Sequence, residues 1–325
     1  MKLLIPGGAG YIGSHMVRYA QELGYEVVVL DDFSTGHEWV INECEILRVN
    51  LLDQDKLSRL LKGRDFDGVI HFAAKSLVDE SINKPELYYR NNVVGTLNLV
   101  NEMLKNDLNN LVFSSTAAIF GNPLTDKIAE DHPKNPINPY GQSKLIVENM
   151  LRDICSARDF SAICFRYFNA AGADKSGEIG EAHDPETHLI PNILKSVLSS
   201  DNELKVFGDD YGTPDGTCVR DYVHVTDLAQ AHLLGLIHSK EGKGFSAFNL
   251  GNGSGFSVLD VINSCEKVSG TVIDYSICAR RLGDPPNLVA NSSLAAKVLG
   301  WKPAYVDLDK IINSAWHWHK THGLI

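Results

Sequence analysis

Residues 7–13 read Gly-Gly-Ala-Gly-Tyr-Ile-Gly, directly after a short apolar run at 2–5 (Lys-Leu-Leu-Ile) and at the start of a segment, 11–23, with helical spacing. Gly8, Gly10 and Gly13 fit G-x-G-x-x-G, and Gly7, Gly10 and Gly13 fit the looser G-x-x-G-x-x-G. Glycines permit a tight turn there and let backbone N–H groups approach a pyrophosphate at the positive end of a helix. The structural alternative is a turn that only packs the helix closely on its strand. Asp31 closes the next apolar run, where an acidic residue grips the hydroxyls of a ribose. Asp32 follows it, and residues 33–37 (Phe-Ser-Thr-Gly-His) supply no Arg to receive a 2′-phosphate, so NAD is expected rather than NADP.

Working outward, further apolar runs suited to buried strands lie at 26–31, 45–51, 67–74, 110–116 and 161–168. Segments with helical spacing alternate with them: Val93, Leu97, Val100 and Leu104 on one, Ile146, Met150 and Ile154 on another that starts near Tyr140. Continuous apolar strands alternating with helices predict a doubly wound parallel sheet, an α/β domain over 1–170. After about 170 the rhythm breaks. Residues 172–188 read as loop, 207–219 as turns and short strands, and helical periods return near 226–237, 257–268 and 292–299. A second, smaller mixed α/β domain is expected over 171–325, with 219–250 as a stretch that can return to the first.

Composition narrows the function. The chain has 325 residues, and 30 Lys+Arg against 41 Asp+Glu give a net charge of −11, which disfavours nucleic acid and anionic membranes as partners. No apolar stretch approaches a membrane span, and the run before Pro6 is too short for a signal-peptide core. Six scattered cysteines without C-x-x-C read as free thiols in a reducing compartment, so a cytoplasmic protein is expected.

A second motif carries the chemistry. Tyr140 and Lys144, in Tyr-Gly-Gln-Ser-Lys at 140–144, are four apart and share a helix face after the Pro-rich lead 135–139. A tyrosine, with its pKa near ~10, is a poor base at neutral pH. A neighbouring ammonium and a cationic nicotinamide ring are expected to lower that value. Thr116 ends Phe-Ser-Ser-Thr (113–116), at the carboxyl end of a predicted parallel strand, where such folds place ligands. Alone, a Tyr and Lys four apart more often mark surface packing.

The ordering of these motifs resembles the extended short-chain dehydrogenase/reductase family, Rossmann-like in fold, over nearly the whole chain. It includes His-Phe-Ala-Ala (71–74), Asn-Asn-Val (91–93), Arg-Tyr-Phe-Asn (166–169), Asp215–Val225, Asn-Leu-Gly (249–251), Arg280–Asp284 and Trp-His-Trp (316–318). The second-half motifs resemble its sugar-nucleotide epimerase branch. The resemblance implies 4-epimerisation of a UDP-hexose, UDP-glucose to UDP-galactose and back, by transient oxidation at C4 with tightly held NAD. It implies Tyr140 as base, Thr116 on the 4-oxygen, and Lys144 on the nicotinamide ribose. For NAD it adds Tyr11, Ile12, Asn50, Leu51, Phe72, Ala73, Asn92, Ser114 and Phe168 to the glycines, Asp31 and Asp32. For the UDP-sugar it implies Arg220 and Arg281 on the diphosphate and nucleotide, Phe207 flanking uracil, Asp284 on the ribose, and Asn169, His188, Leu189 and Leu288 around the sugar. Guanidinium forks suit phosphate oxygens; from the residues alone, each arginine reads as a surface ion-pair member beside Asp221 or Asp284.

Several positions depart from the family pattern: Pro6, Asn50, Lys75-Ser76, Thr116 for Ser, Phe120 for Tyr, His188 for Asn, and Leu288. Leu288 bears on whether an N-acetyl group at C2 fits, so a 4-epimerase of another UDP-sugar is the first alternative. A sugar-nucleotide dehydratase needs an acid beside Thr116, where Ala117 and Ala118 stand. A non-catalytic NAD-sensing protein has no need of Tyr140, Lys144 and a hydroxyl at 116 together. His317 and His319 read as part of a docked terminal helix. His183 and His188, near Asp184 and Glu186, form a conceivable metal cluster, but no metal is expected. A homodimer paired through helices near 92–105 and 140–157 is implied by the resemblance.

Overall fold

Strand and helix alternate from the first residues of the computed structural model, which describes residues 1–199, 204–281 and 284–322. The first half runs β1 (Lys2–Pro6), α1 (Tyr11–Glu22), β2 (Glu26–Asp31), β3 (Glu45–Arg48), α2 (Gln54–Leu61), β4 (Gly68–His71), α3 (Val78–Asn83), α4 (Pro85–Tyr88), α5 (Gly95–Lys105), β5 (Asn110–Ser114), α6 (Pro139–Ala157) and β6 (Ser161–Tyr167). Next come β7 (Asn169–Ala171), α7 (Leu189–Leu198), β8 (Leu204–Phe207), β9 (Val219–Arg220), β10 (Tyr222–His224), α8 (Val225–Glu241) and β11 (Gly244–Leu250). The chain ends with β12 (Phe256–Ser257), α9 (Val258–Ser269), β13 (Tyr275–Cys278), β14 (Asn287–Leu288), α10 (Ser293–Leu299) and α11 (Leu308–His322).

Seven of these strands form one sheet in the order β11-β6-β5-β4-β1-β2-β3, every neighbouring pair parallel. This is the doubly wound, Rossmann-like sheet. The strand order reverses between β1 and β4, and the crevice beyond that reversal is where such sheets bind ligands. Both faces are covered, as continuous apolar strands require. Leu3, Ile5 and Val29 pack with Met16 and Val17 of α1 and Leu228 and Leu236 of α8. Their neighbours Leu4, Val28 and Val69 face the other way, against Leu57 of α2, Leu99 and Met103 of α5 and Val147 of α6. Each such side chain, fully buried, stabilises the fold by about 1.5–3 kcal/mol before entropy is counted.

Three small sheets, β10-β7, β12-β9-β14 and β13-β8, and the helices α7, α9 and α11 form the rest, around Ile193, Val261, Ile262 and Ile311. Some details depart from the sequence reading. The strand expected over 45–51 stops at Arg48, and the one expected over 67–74 at His71. The face of α5 departs at one position of the expected series: Val100 is buried and Val93 and Leu104 pack against the same core, whereas Leu97 is 38% exposed. Thr96, Leu99 and Met103 are buried as well. The preceding turn, Tyr89–Val94, is a π-helix, and its wider turn shifts the angular register next to Leu97. No helix among the described residues is long and apolar enough to cross a membrane.

Candidate active site

The glycine loop is held by contacts that leave no room for side chains. Gly7 has φ +81°, and a Cβ there would sit 2.3 Å from the Ala73 nitrogen; a Cβ on Gly13 would sit 2.0 Å from the Gly7 carbonyl oxygen. The Pro6 carbonyl accepts from the N–H groups of Phe72 and Ala73 at 2.7 and 3.0 Å, which brings the end of β4 against the loop. At Gly10, by contrast, a Cβ would meet nothing nearer than 3.5 Å. Gly10 caps α1 without a side-chain bond, and no acidic residue stands in the first turn of Tyr11, Ile12 and Gly13. An uncapped helix start with an open approach suits a diphosphate. Across the loop, the buried Asp31 carboxylate accepts from the N–H groups of Ala9 and Phe33 at 3.0 and 2.9 Å. Burial raises its pKa while those two N–H groups oppose the rise. These residues fit a dinucleotide such as NAD.

Asn50 donates its amide to Asp32, and its carbonyl accepts from the Leu52 N–H at 2.8 Å. Leu51 is buried beside it. Asn92 is wholly engaged within the protein: its amide donates to the Lys75 carbonyl and the Ser143 hydroxyl, both at 3.0 Å, and its oxygen accepts from the Lys75 N–H at 2.8 Å. It therefore clamps the segment after β4 to α6. Phe72 packs against the ring of His232, 4.7 Å between centroids.

α6 starts at Asn138, whose side chain accepts from the Gly141 N–H at 2.8 Å, with Pro139 in the first turn. That start delivers Tyr140 to the carboxyl end of β5. Burial pushes the Tyr140 phenol above its ordinary value, and the neighbouring Thr116 side chain pulls the other way. Thr116 is buried, and its hydroxyl oxygen also accepts from the Ala118 N–H at 3.1 Å. Lys144, one turn on, is buried as well. Its Nζ donates to the Ser114 carbonyl at 2.7 Å and lies 4.7 Å from the centre of the Phe113 ring. Burial lowers its pKa to about 7. The expected lowering of Tyr140 by a Lys144 ammonium is therefore not what the geometry produces. Both groups are desolvated, and the amine is committed to a carbonyl.

Four residues of this neighbourhood, Ser115, Glu148, Arg166 and Tyr167, have no role in the sequence reading. Ser115 donates to Glu148 at 2.6 Å, and Glu148 forms a fully buried, bidentate pair with Arg166 of β6. The signal was present in Phe-Ser-Ser-Thr and Arg-Tyr-Phe-Asn, but nothing in the sequence joins Glu148 to either. The Ser114 hydroxyl bonds the Tyr167 phenol.

Beyond the carboxyl ends of the strands lies a cavity of about 480 Å³. Asn169, His188, Leu189, Phe207, Arg220, Arg281 and Asp284 all line it, with Tyr222, Asn192 and Val258 among the others. The Arg281 guanidinium lies 4.2 Å from the centre of the Phe207 ring. Arg220 pairs with Asp284, so the two groups that the resemblance gives separate tasks hold each other. Leu288 is outside this wall. It pairs with Arg220 in the sheet register and packs with Phe168 against Phe120 and Ile128.

On the rim, Glu181, His183, Glu186 and His188 converge, one ligand-type atom from each lying within 4.8 Å of the others. Burial pulls the His188 imidazole down, but the two carboxylates outweigh it and hold it up at about 10. Tyr11 reaches the same loop, donating its hydroxyl to the Gly172 carbonyl at 2.6 Å.

Relatives match the chain over its whole length. It is 47% identical to the UDP-glucose 4-epimerase of Halalkalibacterium halodurans over 322 residues, covering 99% of this chain and 96% of that one. The crystal structure of UDP-glucose 4-epimerase from Bifidobacterium longum in complex with NAD+ and UDP superposes with a TM-score of 0.94 at 37% identity, covering 100% and 99%. The UDP-Glc/GlcNAc 4-epimerase of Campylobacter jejuni gives a TM-score of 0.85 at 40% identity, covering 98% and 99%. With residues 3–251 matching its model, the chain belongs to the NAD dependent epimerase/dehydratase family.

Proposed function

We propose that this chain interconverts UDP-glucose and UDP-galactose by oxidation and re-reduction at C4. The observation that carries the reading is the meeting of the Tyr140 phenol and the Thr116 hydroxyl at the carboxyl end of β5, next to the glycine loop. NAD, when bound, takes and returns the C4 hydride and brings a positive ring charge to the cleft.

The protein's own residues do the rest. Thr116 and Tyr140 present two oxygens to the sugar's 4-oxygen, one to orient it and one to take its proton. A buried phenol held above its ordinary value is a strong base once ionised, and the neighbouring Thr116 side chain favours that form. Tyr140 then returns the proton to the 4-oxygen after the keto sugar has presented its other face. Lys144, fixed by the Ser114 carbonyl, would hold the nicotinamide ribose. Gly7, Gly10, Tyr11, Ile12 and Gly13 receive the diphosphate of NAD, Asp31 a ribose, and Asp32 with Asn50 the adenosine end. Phe72, Ala73, Asn92, Ser114 and Phe168 shape the remaining wall. Phe207 and Arg281 hold the uracil end of the substrate, and Arg220 with Asp284 the diphosphate and ribose. Asn169, His188 and Leu189 border the hexose, which turns while UDP stays held. Ala117 and Ala118 follow Thr116, so no carboxyl at that place can expel water from the keto sugar, which disfavours dehydration.

A second substrate, the N-acetylated UDP-hexose, is favoured by the dual substrate of the Campylobacter jejuni relative. Residues 1–170 form the NAD unit and 171–325 the UDP-sugar unit, with α8 and β11 lent back to the first sheet. Exposed Val94 and Leu97 support a homodimer through α5 and α6. Six free cysteines support a cytoplasmic location. The test is incubation of the purified protein with UDP-glucose and no added nicotinamide. UDP-galactose should form; its absence from a preparation with NAD bound would overturn the assignment.

A further inference from the structure

We propose that Glu181, His183, Glu186 and His188 form a closed, four-ligand site for a divalent transition metal, zinc first, which fastens the loop before α7 to the rim of the substrate cavity. The inference is independent of the reaction proposed above.

Geometry carries it. The two imidazoles present the same atom, Nδ1, to the same two carboxylates. His183 Nδ1 lies 3.3 Å from Glu181 Oε1 and 3.7 Å from Glu186 Oε2; His188 Nδ1 lies 3.0 Å from Glu181 Oε1 and 2.8 Å from Glu186 Oε1. Ligands about 2.0–2.2 Å from a tetrahedral zinc are separated by about 3.3–3.6 Å; one such atom from each of the four side chains lies within 4.8 Å of the others, so small side-chain shifts close the set on an ion. Read as hydrogen bonds, the same distances fail at His183: its buried Nδ1 has no hydrogen-bond partner.

Glu186 supplies the independent observation. Its side chain is only 4% exposed, and Oε2 is buried without any hydrogen-bond partner. Oε1, meanwhile, accepts the N–H groups of Thr187 and His188, each at 2.8 Å. The backbone thus orients the carboxylate and leaves one oxygen aimed at the cluster, which is how supporting contacts hold a metal ligand. A lone buried carboxylate oxygen is otherwise costly.

Charge and donor type choose the metal. Two carboxylates neutralise a dication, which binds by displacing the protons they otherwise hold on the imidazoles. Two ring nitrogens with two oxygens suit zinc, whereas magnesium and calcium want six or more oxygens. Four protein ligands leave no open position, so the role is structural. Glu181 and His188 also line the cavity, and the ring of Tyr11 sits edge-on to His183, 6.2 Å between centroids. A metal here therefore stiffens the wall between the glycine loop and the sugar.

The holoenzyme, purified without a histidine tag or chelator, should carry about one zinc per chain by elemental analysis. His183→Ala and Glu186→Gln should weaken zinc at least about 100-fold, more than the loss of a supporting contact would. Wild-type protein stripped with chelator should gain thermal stability on adding Zn2+, and Co2+ should give the strong visible absorption of a tetrahedral site. The stripped protein keeps the test decisive if a variant does not fold. A metal-free holoenzyme that takes up neither ion, or zinc retained equally by both variants, would overturn the site and leave four side chains joined by ion pairs alone.

Discussion

At the residue scale the account turns on Tyr140 and Lys144. Replacing Tyr140 by Phe removes the proton acceptor but keeps the ring that packs edge-on to Tyr88. The variant should retain its melting temperature and bound NAD while turnover falls by at least about 10²–10⁴-fold; kinetics with an absorbance count of cofactor checks both. Lys144 gives a pH prediction. Its folded pKa of about 7 lies below the ordinary lysine value of 10.5, so between those values the unfolded chain binds more protons than the folded one. Stability then rises with pH across that window, and the cost of burying the ammonium is fully present below it. Lys144→Met removes the group. The wild-type chain should therefore gain stability relative to the variant as denaturation is repeated from pH 7 upward, and a flat or falling difference would show the amine is not desolvated.

Elements decide where those residues stand. α6 is bolted to β6 by Glu148 and Arg166, both essentially without exposure. Breaking one partner of such a pair leaves an uncompensated charge, at a cost of about 3–5 kcal/mol. Glu148→Gln should lower urea-denaturation stability by that order and, by loosening α6, reduce turnover more than NAD content. The main elements were legible because their signals are local: apolar runs became β1, β2, β4, β5 and β6, and the Pro-rich lead before Tyr140 became the start of α6. What escaped notice had weak local signals. α2 is eight residues long with only three apolar side chains, Leu57, Leu60 and Leu61. α7 hides behind Pro191, tolerated in a first turn that needs no N–H there. The Glu148–Arg166 pair joins residues 18 apart by packing, which no spacing rule reports.

For the whole molecule, the glycine loop and Tyr140 lie on the main sheet, while the cavity holding Phe207, Arg220 and Arg281 is built by the later strands and helices. The cluster of Glu181 with His183, Glu186 and His188 shows the same limit of sequence reading. The sequence groups His183 and His188 with Asp184 and Glu186, and only the fold puts Glu181 in the place given there to Asp184. Assembly belongs to this scale too. Light scattering should give a dimer, and Leu97→Glu, charging an exposed apolar position on α5, should shift it toward monomer; a wild-type monomer would remove the pairing. The central claim is that hydrogen leaves C4 of the hexose and returns to the same carbon. UDP-glucose carrying deuterium at C4 tests it most directly: UDP-galactose should form with the label kept at C4, and product with the label lost to water would contradict it.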